Sequence, residues 1–213
     1  GFKVAICEQI TEPKKGVKLV EREVLRVVTP GTLIDSNLLD DKKNNYIMCA
    51  YYKNGIVGVS YTDISTGEIY LTEEDLPKFN DILVRVRPSE IICNLDMYEL
   101  SNNLLASKLQ IIPSFSVKED SGFNFDTNHK SLINQMGAKA IIGFSDKELA
   151  IISAGALINY LIETQKRSLN HINTCVYVND TEYMAIDSNT RRNLELTETI
   201  KDRKKRGSLL WLL

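Results

Sequence analysis

Between Asn45 and Glu73 the chain sets out three short segments that constrain its fold more than any other stretch. Tyr46–Tyr52, Ile56–Ile64 and Glu68–Thr72 alternate, in part, apolar with polar or small residues, and are rich in Val, Ile, Tyr and Thr. That composition suits the pleated, half-buried surface of a strand. Lys53-Asn54-Gly55 and Ser65-Thr66-Gly67 separate the segments, each a short connection closed by a glycine that can take a left-handed conformation. The stretch reads as an antiparallel meander. Strands this short need a helical cover to persist, and the chain supplies helices next.

Leu76, Phe79, Ile82, Leu83 and Val86 share one helical face, and Arg87-Pro88-Ser89 ends that helix, because the residue before a proline is pushed out of the α region. Glu90–Cys93 reads as a short apolar strand, Met97–Leu109 as a weak helix, and Gln110–Pro113 as a further strand placed at an edge by its proline. Ser116–Phe125 reads as loop. Asp126-Thr127 offers the N-cap of a helix running to Met136 and closed by Gly137. Lys147–Lys166 is the strongest helical segment. Leu149, Ile152, Ala156, Leu157, Tyr160 and Leu161 form its apolar stripe, and Ala150, Ala154 and Gly155 leave room for a second element to approach. Three antiparallel strands followed by helix, strand, helix, strand, helix is the order of an RNase H-like α/β domain, a mixed sheet with flanking helices.

Before this unit, Phe2–Gln9 reads as the end of a helix or a short buried segment, broken by the Pro and Gly of residues 11–16. Val17–Val28 is strand-like and stops at Thr29-Pro30-Gly31-Thr32. Leu33–Asn44 is a polar linker around Leu38-Leu39, and Ser168–Thr181 is a second transition. The expected division is 1–32, 33–168 and 169–213, the last being helical.

The formal net charge of −2 gives no general attraction to phosphate and weighs against a stand-alone nucleic-acid module. No apolar run approaches the ~20 residues that cross a bilayer. Cys7, Cys49, Cys93 and Cys175 are scattered through apolar runs without a C-x-x-C pair, the pattern of reduced thiols in a cytoplasmic protein. The chain opens without Met and stops in the uncapped apolar run Ser208–Leu213, so it is expected to be a piece of a longer protein.

Few residues carry chemistry. Asp63 lies on a strand of a fold that in nucleases holds two metal ions with converging carboxylates. Only Asp96 follows the later strand, so Asp63 reads as the cap of the Ser65-Thr66-Gly67 turn, and a metal-dependent nuclease is the alternative. Lys201, Arg203, Lys204, Lys205 and Arg206 could neutralise phosphates, but Asp202 interrupts them and no aromatic residue interleaves them, so a solvated surface is the favoured reading. Arg191 and Arg192 are expected to pair with Glu195 or Glu198 across helical turns. His129 and His171 stand apart from any cysteine or carboxylate group, and there is no G-x-x-x-x-G-K-[ST] phosphate loop.

Three segments carry a family resemblance. Phe2-Lys3-Val4-Ala5-Ile6-Cys7-Glu8-Gln9, then Arg22–Thr32 ending in Val28-Thr29-Pro30-Gly31-Thr32, resembles the close of the mismatch-binding domain of the MutS family, where the first segment is helical. Met184–Leu196, with Asp187-Ser188-Asn189-Thr190-Arg191-Arg192-Asn193-Leu194-Glu195, resembles the opening of the family's core, or lever, domain, and Arg206–Trp211 continues that match. The middle is similar to the connector domain, which has the RNase H-like fold. The resemblance implies a non-catalytic segment of a bacterial, nucleoid-associated mismatch recognition protein. It implies no cofactor here, with ATP and magnesium bound elsewhere in a dimeric or larger parent that recognises mismatched DNA. It also implies that the connector carries motion between DNA and ATPase ends and docks MutL. The helix Asp126–Met136 aligns with the docking helix, so Lys130, Ser131, Asn134 and Gln135, expected to be exposed, are the partner-binding candidates. Ser131 departs from the family, whose matching position carries Gln.

Overall fold

The computed structural model of the chain describes residues 2–10, 21–33, 44–108, 113–166, 168–179, 186, 188–202 and 204–212. The meander forms as β3 (Tyr46–Lys53), β4 (Ile56–Asp63) and β5 (Glu68–Asp75). It follows β1 (Val4–Gln9) and β2 (Arg22–Val28), which pair antiparallel as a separate two-stranded sheet. Asn54 and Gly55 turn the first hairpin with φ of 53° and 89°. Beyond the meander come α1 (Leu76–Val86), β6 (Glu90–Cys93), α2 (Leu95–Lys108), β7 (Ser114–Val117), α3 (Phe125–Met136), α4 (Glu148–Gln165) and β8 (Thr174–Tyr177). Two short helices close the chain, α5 (Ser188–Asn193) and α6 (Leu209–Leu212).

Among the described residues the larger sheet has six strands in the order β7-β6-β3-β4-β5-β8. β6 joins β3 in parallel and β7 joins β6 in parallel, while β3, β4 and β5 run antiparallel. A meander extended by two parallel strands beside its first strand is the RNase H-like arrangement. β8 adds to the other edge, parallel to β5, and so continues the sheet past residue 168.

β3 is central and covered on both faces. Ile47, Cys49 and Tyr51 point to one core with Ile69, Leu71, Ile92 and α4, whereas Met48 and Ala50 point to the other with Val57, Val59, Phe79, Ile82 and Met97. α1 forms because its four buried residues, Phe79, Ile82, Leu83 and Val86, recur at helical spacing. Burying each such side chain is worth about 1.5–3 kcal/mol. Asp75 caps the helix by accepting from the Lys78 N–H at 3.1 Å, and Arg87 leaves it in a left-handed conformation (φ 50°) ahead of Pro88.

The other face of β4 carries Gly58, Ser60 and Thr62, small enough for α4 to lie directly on the sheet. A Cβ at Gly58 would stand 2.0 Å from the Leu149 carbonyl oxygen, and one at Gly155 2.2 Å from that of Asn128. α4 is thus wedged between the sheet and α3. It is buried almost all round from Ala150 to Ile158, where periodicity predicted a single stripe.

Four local expectations are corrected. Phe2–Gln9 is an exposed strand, neither helical nor buried; in so short a run the two periods are hard to tell apart. A strand expected at Gln110–Pro113 is found at Ser114–Val117, where Ser-Phe-Ser-Val alternates and whose last two residues were expected to be loop; 110–112 lie outside the described residues. The edge position argued from Pro113 holds. α3 starts one residue early because Asn124, not Asp126 or Thr127, accepts the capping bond from the Thr127 N–H at 3.1 Å. Glu195 and Glu198 lie beyond α5, which stops at Asn193, so no pairing runs across helical turns. Glu198 stands near enough to Arg191 to favour its charge and also pairs with Arg87 just past α1, while Glu195 takes a left-handed conformation and accepts from the Ile200 N–H at 2.6 Å. Most of the linker 33–44, and most of 180–187, lie outside the described residues.

Candidate functional site

The four docking candidates divide into two pairs. Lys130 and Asn134 are exposed on α3. Ser131 and Gln135 are half-buried, contrary to the expected exposure. Ser131 Oγ donates back to the Thr127 carbonyl at 3.0 Å, a bond within its own helix. Gln135 turns inward, its Nε2 donating to the carbonyl oxygens of Leu169 and Ile172 at 2.9 and 2.8 Å. That amide pins the loop between α4 and β8, adding to the loop's own bond from the Ile172 N–H to the Leu169 carbonyl at 2.8 Å. The same loop is held from its other side, where His171 Nε2 bonds the Ile64 carbonyl oxygen at 2.8 Å and the Asn173 and Thr174 N–H groups donate to Gly67 O at 3.1 Å. His171 is thus hydrogen-bonded, as expected, but exposed rather than packed between its apolar neighbours.

Asp63 closes its turn. Oδ1 accepts from Ser65 N and Ser65 Oγ at 2.9 and 2.7 Å, and Oδ2 accepts from the Asn45 N–H at 2.8 Å. Among the described residues no three His, Cys, Asp or Glu side chains converge to hold a metal ion. Lys201, Lys204, Lys205 and Arg206 are exposed, and Arg203 lies outside the described residues.

A polar cluster that sequence reasoning missed lies where Thr29–Leu33 meets the large sheet. Glu90, the first residue of β6, is completely buried. Its carboxyl group accepts four hydrogen bonds. Thr29 Oγ1 and the Gly31 N–H reach Oε2, the latter at 3.1 Å, while Ser116 Oγ and Tyr160 Oη reach Oε1 at 2.7 and 2.6 Å. These donors come from the Pro30–Thr32 3-10 turn, from β7 and from α4. Four acceptances fill the lone-pair sites of a carboxyl group, which is how so polar a side chain is tolerated in a dry interior.

The turn is fastened at a second point. Asn45 Nδ2 donates to Pro30 O and Leu33 O at 3.0 and 3.2 Å, and its Oδ1 accepts from Ser89 Oγ. Gly31 lets the turn sit flat, since a Cβ there would lie 2.7 Å from Ile47 Cβ and 3.0 Å from Glu90 Cβ. Burial, then the hydrogen bond to Glu90, push the Tyr160 hydroxyl above the usual phenol range. Lys3 and Lys118 stand over the Tyr160 ring at 5.3 and 5.4 Å. The signal available in the sequence was a charged residue opening an otherwise apolar strand; its partners lie 26 to 70 positions away.

In this RNase H-like domain Asp63 closes a turn and buried Glu90 fastens a preceding segment, so both acids have structural uses. A family model described as MutS domain II matches residues 45–173, and one described as MutS domain I matches residues 1–37. The DNA mismatch repair protein MutS of Lachnoclostridium phytofermentans is 40% identical over the whole chain, and that of Halothermothrix orenii 43%. The chain belongs to the MutS family. It spans about a quarter of the length of these relatives, 23% and 24%. Among solved structures, the nuclease domain of the large terminase subunit of bacterial virus Sf6 aligns over 63% of this chain and 65% of its own, with TM-score 0.31 and 8% identity, too distant to bear on function.

Proposed function

We propose that this chain is the connector segment of a DNA mismatch recognition protein, carrying conformational change between a mismatch-binding part before it and an ATPase part after it, and docking MutL through α3. The observation that carries this reading is the fastening of Thr29–Leu33 onto the connector sheet by Glu90 and Asn45. A displacement of the N-terminal part would be passed to the sheet through that contact. ATP and magnesium would be bound elsewhere in the parent, a dimer or larger assembly acting on mismatched DNA in the bacterial cytoplasm at the nucleoid. For docking, Lys130 and Asn134 are the contacts best placed, with Ser131 beside them; Gln135 would act by holding the loop behind the helix.

The test is a binding titration of MutL from the same organism against the protein, repeated with Lys130→Glu and Asn134→Arg. Saturable binding weakened about tenfold by each change, a loss of ~1.4 kcal/mol, is expected. Binding unaffected by both substitutions would remove α3 from the interface.

A further inference from the structure

We infer that Glu90 and Asn45 form a clasp that makes Thr29–Leu33 a rigid part of the connector, so that relative motion between the N-terminal hairpin and the sheet is confined to the chain before Thr29. Glu90 is then the positioning residue through which the two parts are coupled. This rests on the transmitting role proposed above and names its mechanical element.

Glu90 draws two of its four donors from the turn and two from the sheet and α4. If the turn lifted, the buried carboxyl group would lose two of the four hydrogen bonds that satisfy it. Asn45 brackets the turn at both ends, at Pro30 and Leu33, so it cannot pivot about one contact. The Asn45 side chain is fixed in turn by Ser89, and its backbone by Asp63, which closes the β4–β5 turn at the same time. Gly31 lets the turn lie close against the side chains of Ile47 in β3 and Glu90 in β6, with no room there for a Cβ. Among the described residues the hairpin before Thr29 is held more loosely: β2 lies against α4, but β1 is largely exposed, with the preceding Phe2 at 92%, and Lys3 stands over the Tyr160 ring.

The experiment compares the unmodified protein with Glu90→Gln, which keeps the shape but turns an NH₂ donor on two of the four donors, and with the milder Ser116→Ala. Hydrogen exchange is followed at the Gly31 amide. Exchange about tenfold faster at residues 29–33, with β4 amides unchanged, is the expected result. No change at Gly31 in either variant, or a uniform rise across the sheet, would overturn the clasp. The second readout is the change in affinity for a mismatched duplex on adding ATP, measured in the intact protein. Loss of that response in Glu90→Gln is expected. Its retention, with Gly31 loosened, would refute Glu90 as the coupler while leaving the connector reading intact. An absent ATP response in the unmodified protein would instead count against the connector reading itself, and the exchange result would still judge the clasp.

Discussion

The two ends of the central domain are fastened by opposite means. On the N-terminal side Thr29–Leu33 is held by a buried carboxyl group and a buried amide with their hydrogen bonds filled from the protein. On the C-terminal side α5 rests beside α1, and the tie recorded there is the ion pair of Arg87 with Glu198, side chains 53% and 34% exposed. Arg191 adds to the contrast. Burial lowers its pKa, and the neighbouring charges of Arg85 and Arg87 lower it further, while Glu198 partly offsets them. A partly exposed ion pair beside crowded guanidinium groups makes a soft, screened joint. A buried, hydrogen-bonded joint is specific in geometry and indifferent to salt. This chain places the second kind at its N-terminal junction.

Substitutions can break that comparison in order of expected size. Gly31→Ala sets a Cβ against two other β-carbons, which no rotamer change can move, so it should cost about 1–3 kcal/mol, read as a lower urea midpoint. An unchanged midpoint would mean that the turn is not seated in solution. Tyr160→Phe removes one of the four bonds to Glu90 and should cost about 1 kcal/mol near neutrality.

Tyr160→Phe should also alter the alkaline limb. The folded state holds the Tyr160 proton more tightly than the unfolded chain, so its contribution is complete below the ordinary phenol value of 10.0 and is lost as pH rises through the folded value. Without the hydroxyl, stability should fall less steeply there. A residual decline should remain, because burial raises Cys93 and Cys175 from 9.0 to about 12 and the hydrogen bond to Glu68 raises Tyr70 from 10.0 to about 12. An alkaline limb identical to that of the unmodified protein would show that the hydroxyl is not buried at the clasp. Arg87→Ala should be the mildest change, below about 1 kcal/mol and vanishing in 1 M salt. If its cost exceeded that of Gly31→Ala, the ranking of the two joints would be reversed.

Much of the domain was legible because it is local. The meander, α1 and β6 are each fixed by alternation, helical spacing or turn residues within a few positions, and the Asp63 turn by its own neighbours. The misplaced features share another property. β1 is a strand only because β2 pairs with it, and α4 is buried all round only because α3 and the sheet enclose it. Gln135 looked like a surface residue because its spacing on α3 says nothing of the loop 34 and 37 residues further on.

What the sequence by itself determined is the set of elements, the RNase H-like chain order and the family, since each is written in short-range patterns of residue type. What only the tertiary structure decided is which polar side chains are structural. Glu90, Asn45 and Gln135 carry groups that water would satisfy equally well in an unfolded chain. Their role appears only when distant segments converge, exclude water and leave each donor and acceptor one partner to choose.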